Sequence, residues 1–175
     1  MKAGLVLLGL GLIQNILVCP CVMAERPSET SQPCKEWDQR VDPDLGTKGP
    51  WLERVPSDDE VIVAIDCLLR NRGDRRAARF GGATDPKVSQ VLPGATVELA
   101  SLYYISYLFT GNQQHGEGVA LWNRRGIVNP PGSVDAAYRA YTAWFKRVRS
   151  MGLSAARSRN LDPLKGTGLR WYGSR

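Results

Sequence analysis

Residues 95–112 read ATVELASLYYISYLFTGN, the longest apolar run that follows the first two dozen residues. Between Val97 and Phe109 only Glu98, Ser101 and Ser106 are conspicuously polar, apart from the tyrosine hydroxyls. A helix that is apolar on nearly every side is a buried one. Thr96 stands where the N-cap belongs. Glu98 falls in the first turn, where the helix dipole favours a carboxylate. A carboxylate in a buried helix also calls for a cation, so an arginine partner is expected. The competing reading makes Glu98 a general base whose pKa is raised by burial. Tyr103, Tyr104 and Tyr107 leave the helix at mixed angles. Core packing accounts for all three, with Tyr104 kept as a candidate binding residue at a pocket or partner.

Upstream, Ser57 and Glu60 make the S-x-x-E capping box, and Asp58 and Asp59 suit the positive end of a helix dipole. Val61, Ile62, Ile65, Leu68 and Leu69 recur at spacings of three and four, which predicts an amphipathic helix over Asp58–Asn71. Gly73 is the expected stop, and Asp66 either faces solvent or pairs with Arg70 one turn on. Downstream, Ser133 is expected to cap a second amphipathic helix, on which Val134, Tyr138, Tyr141, Phe145 and Val148 share one face. That aromatic face is expected to lie on the central helix, and Gly152 ends it. Ser154–Asn160 reads as a short basic helix and Leu161–Arg175 as an irregular tail, folded back through Leu169, Trp171 and Tyr172. The fold class is therefore mainly α: a small compact helical domain of three main helices, with short helices and irregular N- and C-terminal segments packed on it.

The N-terminal 24 residues read as a secretory signal peptide: Lys2 is the n-region, Ala3–Ile13 the apolar h-region, and Val22-Met23-Ala24 the cleavage site before Glu25. An uncleaved N-terminal anchor and a lipoprotein attached at Cys19 or Cys21 are the alternatives. Residues 25–56 read as an extended polar lead-in, and residues 57–175 as the helical domain. Trp37 and Trp51 imply that the lead-in packs onto that domain. Past the leader two cysteines remain, Cys34 and Cys67. In an oxidising compartment they are expected to form one disulfide. With one histidine and no CxxC past the leader, no metal site and no cofactor are expected.

Charge is uneven. Glu25–Pro56 carries 7 acids and 5 bases, a balance of −2, while Ser57–Arg175 carries 10 acids and 17 bases, a balance of +7. The densest basic cluster is Arg70, Arg72, Arg75, Arg76 and Arg79, running into Phe80-Gly81-Gly82. Guanidinium groups fork onto carboxylates and phosphates, so Arg72, Arg75, Arg76 and Arg79 are candidate binding residues for an anionic surface or an acidic envelope protein. The bland alternative pairs one or two of them with Glu98 or Asp66. Arg72-Gly73-Asp74 spells an integrin tripeptide, a match short enough to arise by chance. His115 and Glu117, in a glycine-flanked loop, could act together or do nothing special.

The sequence lacks a G-x-S-x-G elbow, a G-x-G-x-x-G loop and a P-loop, and no internal repeat stands out. Nucleic acid is an unexpected partner for an exported chain, and no stable transmembrane span is expected past the leader. Two functional readings follow. One is a non-enzymatic exported protein of the periplasm or envelope that binds an envelope protein or an anionic surface, an inhibitor or immunity-type factor being one form. The other is an envelope enzyme acting on cell-wall material through Glu98 with His115 or an arginine.

Overall fold

The computed structural model describes residues 32–45, 52, 54–78, 94–111 and 118–174. The leader, Trp51, the stretch from Arg79 to Pro93, and the loop with His115 and Glu117 lie outside the described residues.

The chain is mainly helical with a small antiparallel sheet. In order come α1 (Gln32–Val41), α2 (Asp58–Leu68) with a 3₁₀ turn at Leu69–Asn71, α3 (Val97–Phe109), β1 (Gly118–Asn123), α4 (Ser133–Met151), α5 (Leu153–Ser158) and β2 (Leu169–Tyr172). Helix α3 is buried at every position except Glu98. It packs against α1, α2, α4 and β1.

The local signals act as read. Glu60 N donates to Ser57 Oγ at 3.3 Å and Ser57 N to Glu60 Oε2 at 2.7 Å, which closes the capping box. Thr96 Oγ1 accepts from Leu99 N at 3.4 Å. Gly73, with φ +85°, turns the chain in the left-handed region after the 3₁₀ turn. The expected cap at Ser133 is different: Gly132, at φ 74°, holds the N-cap position, and Ser133 is the first helical residue, buried and making no side-chain cap.

The face predicted for α4 does lie on α3. Tyr138 Oη donates to the Glu98 carbonyl at 2.9 Å, and Phe109 meets Trp144 edge-on with centroids 4.9 Å apart. Burial on both faces of this contact supplies the main apolar stabilisation, about 1.5–3 kcal/mol for each large side chain fully buried.

Two segments read as irregular are ordered. The lead-in holds α1, with Cys34, Trp37 and Val41 buried along one side. Among its described side chains these are the buried apolar groups, alongside buried Asp38 and Arg40. A stripe so thin does not hold a helix by itself; ties to the rest of the chain do. Cys34 is joined to Cys67 of α2, with Cα atoms 5.2 Å apart. Asn71 Nδ2 reaches both Asp38 Oδ1 at 3.3 Å and Ser101 Oγ at 3.0 Å, linking α1 to α3.

The tail holds β2, paired antiparallel with β1 so that Leu121 faces Trp171 and Asn123 faces Leu169. The register slips between Gly118 and Leu121. Such a bulge breaks inside–outside alternation, and Gly118–Leu121 are buried in succession. Among the described residues no helix is long and apolar enough to cross a membrane.

Candidate functional site: two basic surfaces

The arginine cluster follows the 3₁₀ turn. There the chain reverses at Gly73 and runs beside the start of α3, with Ala78 N donating to Ala95 O at 2.8 Å and Val97 N to Arg76 O at 2.9 Å. The guanidinium of Arg76 is thereby held against three carboxylates. It reaches Asp44 Oδ2 at 2.6 Å, Asp42 Oδ2 at 2.5 Å and Asp74 Oδ2 at 2.6 Å. Asp42 and Asp44 close the C-terminal end of α1, where Asp42 N donates to the Asp38 carbonyl at 2.8 Å. Arg76 therefore fastens one end of α1, and the disulfide fastens the other. The hydrogen bonds from Arg76 hold the Asp74 carboxyl below its usual range, and the aspartates push the guanidinium upward.

Its neighbours are also engaged. Arg72 pairs with Asp135 at the start of α4 at 3.1 Å, and Arg70 with Asp66 at 2.7 Å, as the spacing predicted. Arg70, Arg72 and Arg76 thus face five carboxylates of the same chain, and this corner is a brace. Of the predicted binding arginines, Arg75 is exposed and makes no ion pair among the described residues. Arg79 lies outside them.

Glu98 departs from expectation. Its side chain is half-buried and its Oε2 accepts from the backbone N–H of Gly73 at 2.9 Å; among the described residues no arginine stands within ion-pair distance. The carboxylate closes the turn that precedes α3, and an amide takes the place of the expected guanidinium. His115, the proposed companion of Glu98, lies outside the described residues. Tyr104 is 1 % exposed, stacked on Tyr107 with centroids 5.5 Å apart and set beside Arg40. Burial raises its hydroxyl pKa. It is a core residue set beside a buried cation.

Exposed cations, several of them without a carboxylate partner among the described residues, gather elsewhere. From Arg124 to Arg175 the chain has eleven basic residues against two acids, Asp135 and Asp162, and Asp135 is taken by Arg72. Arg139 and Lys146, seven residues and so two turns apart, are exposed on the outer face of α4, with Arg147 beside Lys146. Thr142 and Ala143, also exposed, lie between them. Arg149 lies over the Phe145 ring at 5.7 Å and 4.0 Å from Asp66. Arg159 and Lys165 extend the exposed charge past α5. By thirds of the chain the positive charge concentrates in the last third, which holds this face, whereas its local density peaks at Arg70–Arg79.

One basic residue of this region is structural. Arg157 on α5 donates from Nε to the Phe109 carbonyl at 2.7 Å and from one terminal nitrogen to the Leu108 carbonyl at 3.0 Å. The other terminal nitrogen reaches Asp58 at 2.8 Å. A single side chain thus caps the C-terminal end of α3 and meets the acidic first turn of α2.

No protein-family model, curated protein or solved structure matches the chain.

Proposed function

We propose that the protein is an exported, non-enzymatic helical protein of the periplasm or envelope, and that the outer face of α4 binds the acidic surface of an envelope partner. The folded unit is one compact domain built on α2, α3 and α4. Its role is that of a binding factor, with inhibitor or immunity-type action as one form.

The observation that carries this reading is the contrast between the two basic surfaces. Arg70, Arg72 and Arg76 are spent on aspartates of the same chain, while Arg139, Lys146 and Arg147 are exposed with no carboxylate in reach among the described residues. Complementary charge steers a partner and sets its register. The Cys34–Cys67 bridge supports export, because such bonds persist in oxidising compartments. The use of Glu98 in a turn supports the non-enzymatic half of the reading.

In a native host the test is site-specific cross-linking from position 143 on α4, followed by mass spectrometry of the envelope fraction. A single dominant acidic partner is expected, with mature protein starting at Glu25. The double variant Arg139→Glu/Lys146→Glu should cut affinity for that partner at least tenfold, and Arg75→Ala should leave it within twofold. Equal affinity of the charge-reversed variant and the parent would sink the proposal.

A further inference from the structure

A cavity of about 300 Å³ opens between the C-terminal end of α3, the loop at residues 160–164 and β2. Phe109, Leu161, Pro163, Leu164 and Trp171 give it largely apolar walls, and Ser106 lies at its floor. Cavities of this size and lining are the usual form of small-molecule sites.

The floor has a proton to spare. Ser106 Oγ and the Tyr141 hydroxyl are in mutual hydrogen-bond contact, and Trp171 Nε1 donates to both at 3.1 Å. The indole N–H is donor only, and each hydroxyl carries one proton. One hydroxyl proton is consumed between the two oxygens. The other meets no acceptor among the described residues, although both groups are buried: Ser106 is 3 % exposed and Tyr141 0 %. Buried O–H groups are hydrogen-bonded as a rule, and an unmet one is costly. Of the two, Ser106 lines the cavity and Tyr141 does not. Either hydroxyl can donate to the other; when Tyr141 donates to Ser106, the serine proton is the one left for whatever fills the cavity.

We propose that this cavity binds a small neutral amphipathic molecule, with a hydrocarbon body against Leu161, Leu164 and Trp171 and an acceptor oxygen on Ser106. The ligand is neutral because one uncharged hydroxyl does not offset the burial of a carboxylate. The two charged residues of the lining are turned to other work. Asp162 accepts from Leu164 N at 2.8 Å, and the Arg170 guanidinium lies over the Trp122 ring at 4.2 Å. This inference is independent of the α4 surface and of any partner there.

Acetophenone and ethylbenzene, alike in shape and differing in the carbonyl oxygen, are the probes. Each is titrated into the full oxidised protein while the Trp171 indole N–H resonance is followed by NMR, assigned through Trp171→Phe. Acetophenone is expected to shift that resonance saturably and to bind at least fivefold tighter than ethylbenzene. Ser106→Ala should erase the preference, and Leu164→Trp should abolish binding of both. Should Ser106→Ala fail to fold, Ser106→Cys, a weak donor, must lose the preference instead. A Trp171 resonance unmoved by either probe at millimolar concentration assigns the serine proton to solvent and overturns the proposal. So does a fivefold preference that survives in Ser106→Ala or Ser106→Cys.

Discussion

Arg157 and Glu60 show what single side chains do here. Arg157 donates to the Phe109 carbonyl and adds a second donor to the Leu108 carbonyl, which Gly111 N also reaches, and it faces Asp58 as well. Hydrogen bonds from a charged donor contribute about 1.5–3 kcal/mol each in favourable cases. Because the side chain is partly exposed, Arg157→Ala should cost about 2–3 kcal/mol in urea unfolding, and Arg157→Lys should recover less than half, since an ammonium lacks the fork. Glu60 is held at about 2, below its ordinary value of 4.5, chiefly by hydrogen bonds from Arg54 and then by Ser57. Its folded value is the lower one, so its contribution to stability is present above pH 4.5 and disappears as pH falls through about 2. Carboxyl NMR should read that midpoint in the parent and a rise toward 4.5 in Arg54→Ala; an unmoved midpoint would refute the assignment to Arg54. Asp38 behaves in the opposite sense. Burial raises its pKa above 3.8, so its contribution is complete at lower pH and declines as pH rises through the folded value. The capping box, the Thr96 cap and the Asp66–Arg70 pair were all legible in the sequence, because each joins residues within one turn. The partners of Arg76, Glu98 and Arg157 were not. Asp42 is 34 residues from Arg76, Gly73 is 25 from Glu98, and Phe109 is 48 from Arg157; nothing local marks such a pair.

At the scale of elements, legibility followed the width of the apolar face. Helices α2, α3 and α4 bury broad faces and were read within a few residues of their ends. Helix α1 has three buried apolar side chains and depends on outside ties, so its composition resembled a linker. The disulfide is the strongest of these ties. In the chain-entropy model, closing a loop of 33 residues stabilises by about 3–4 kcal/mol. Reduction, or Cys34→Ser/Cys67→Ser, should therefore lower stability by about that amount. Amides of α1 should then exchange with solvent well before those of α4, as read by hydrogen exchange. Simultaneous loss of protection in both helices would show that α1 is not held chiefly by the bridge. The sheet was hidden for another reason: the bulge erased the alternation by which a strand of six residues is recognised. Trp171, the buried residue of β2, sits edge-on to Tyr103 at 5.1 Å and donates to Ser106 and Tyr141. Trp171→Ala should cost about 3–5 kcal/mol, measured as a lowered denaturation midpoint.

For the whole molecule, the question is where its positive charge is free to act. The sequence places the positive charge after Pro56, but an arginine cluster and an arginine brace have the same composition, so binding and internal pairing stay open for Arg70–Arg79 at that level. Only the arrangement of Asp42, Asp44, Asp74 and Asp135 around it separates the two. If the face of α4 is the working surface, association should weaken steeply with salt, since exposed charges are screened within about 10 Å at 0.1 M. Raising salt from 0.05 to 0.5 M should slow the on-rate in the parent and have little effect in Arg139→Glu/Lys146→Glu, as read by stopped-flow or surface binding.

The order of the chain also sets a clock. Ser106 is made 65 residues before the tryptophan that roofs it, and Asp58 is made 99 residues before the arginine that meets it. At synthesis rates of about 5–20 residues per second, the first interval alone lasts roughly 3–13 s. Throughout that time α3 is made while the core partners it needs from β1, α4 and β2 are still being added. A holding chaperone that releases before Trp171 emerges would free a sticky intermediate, and one that releases afterwards would free a finished fold.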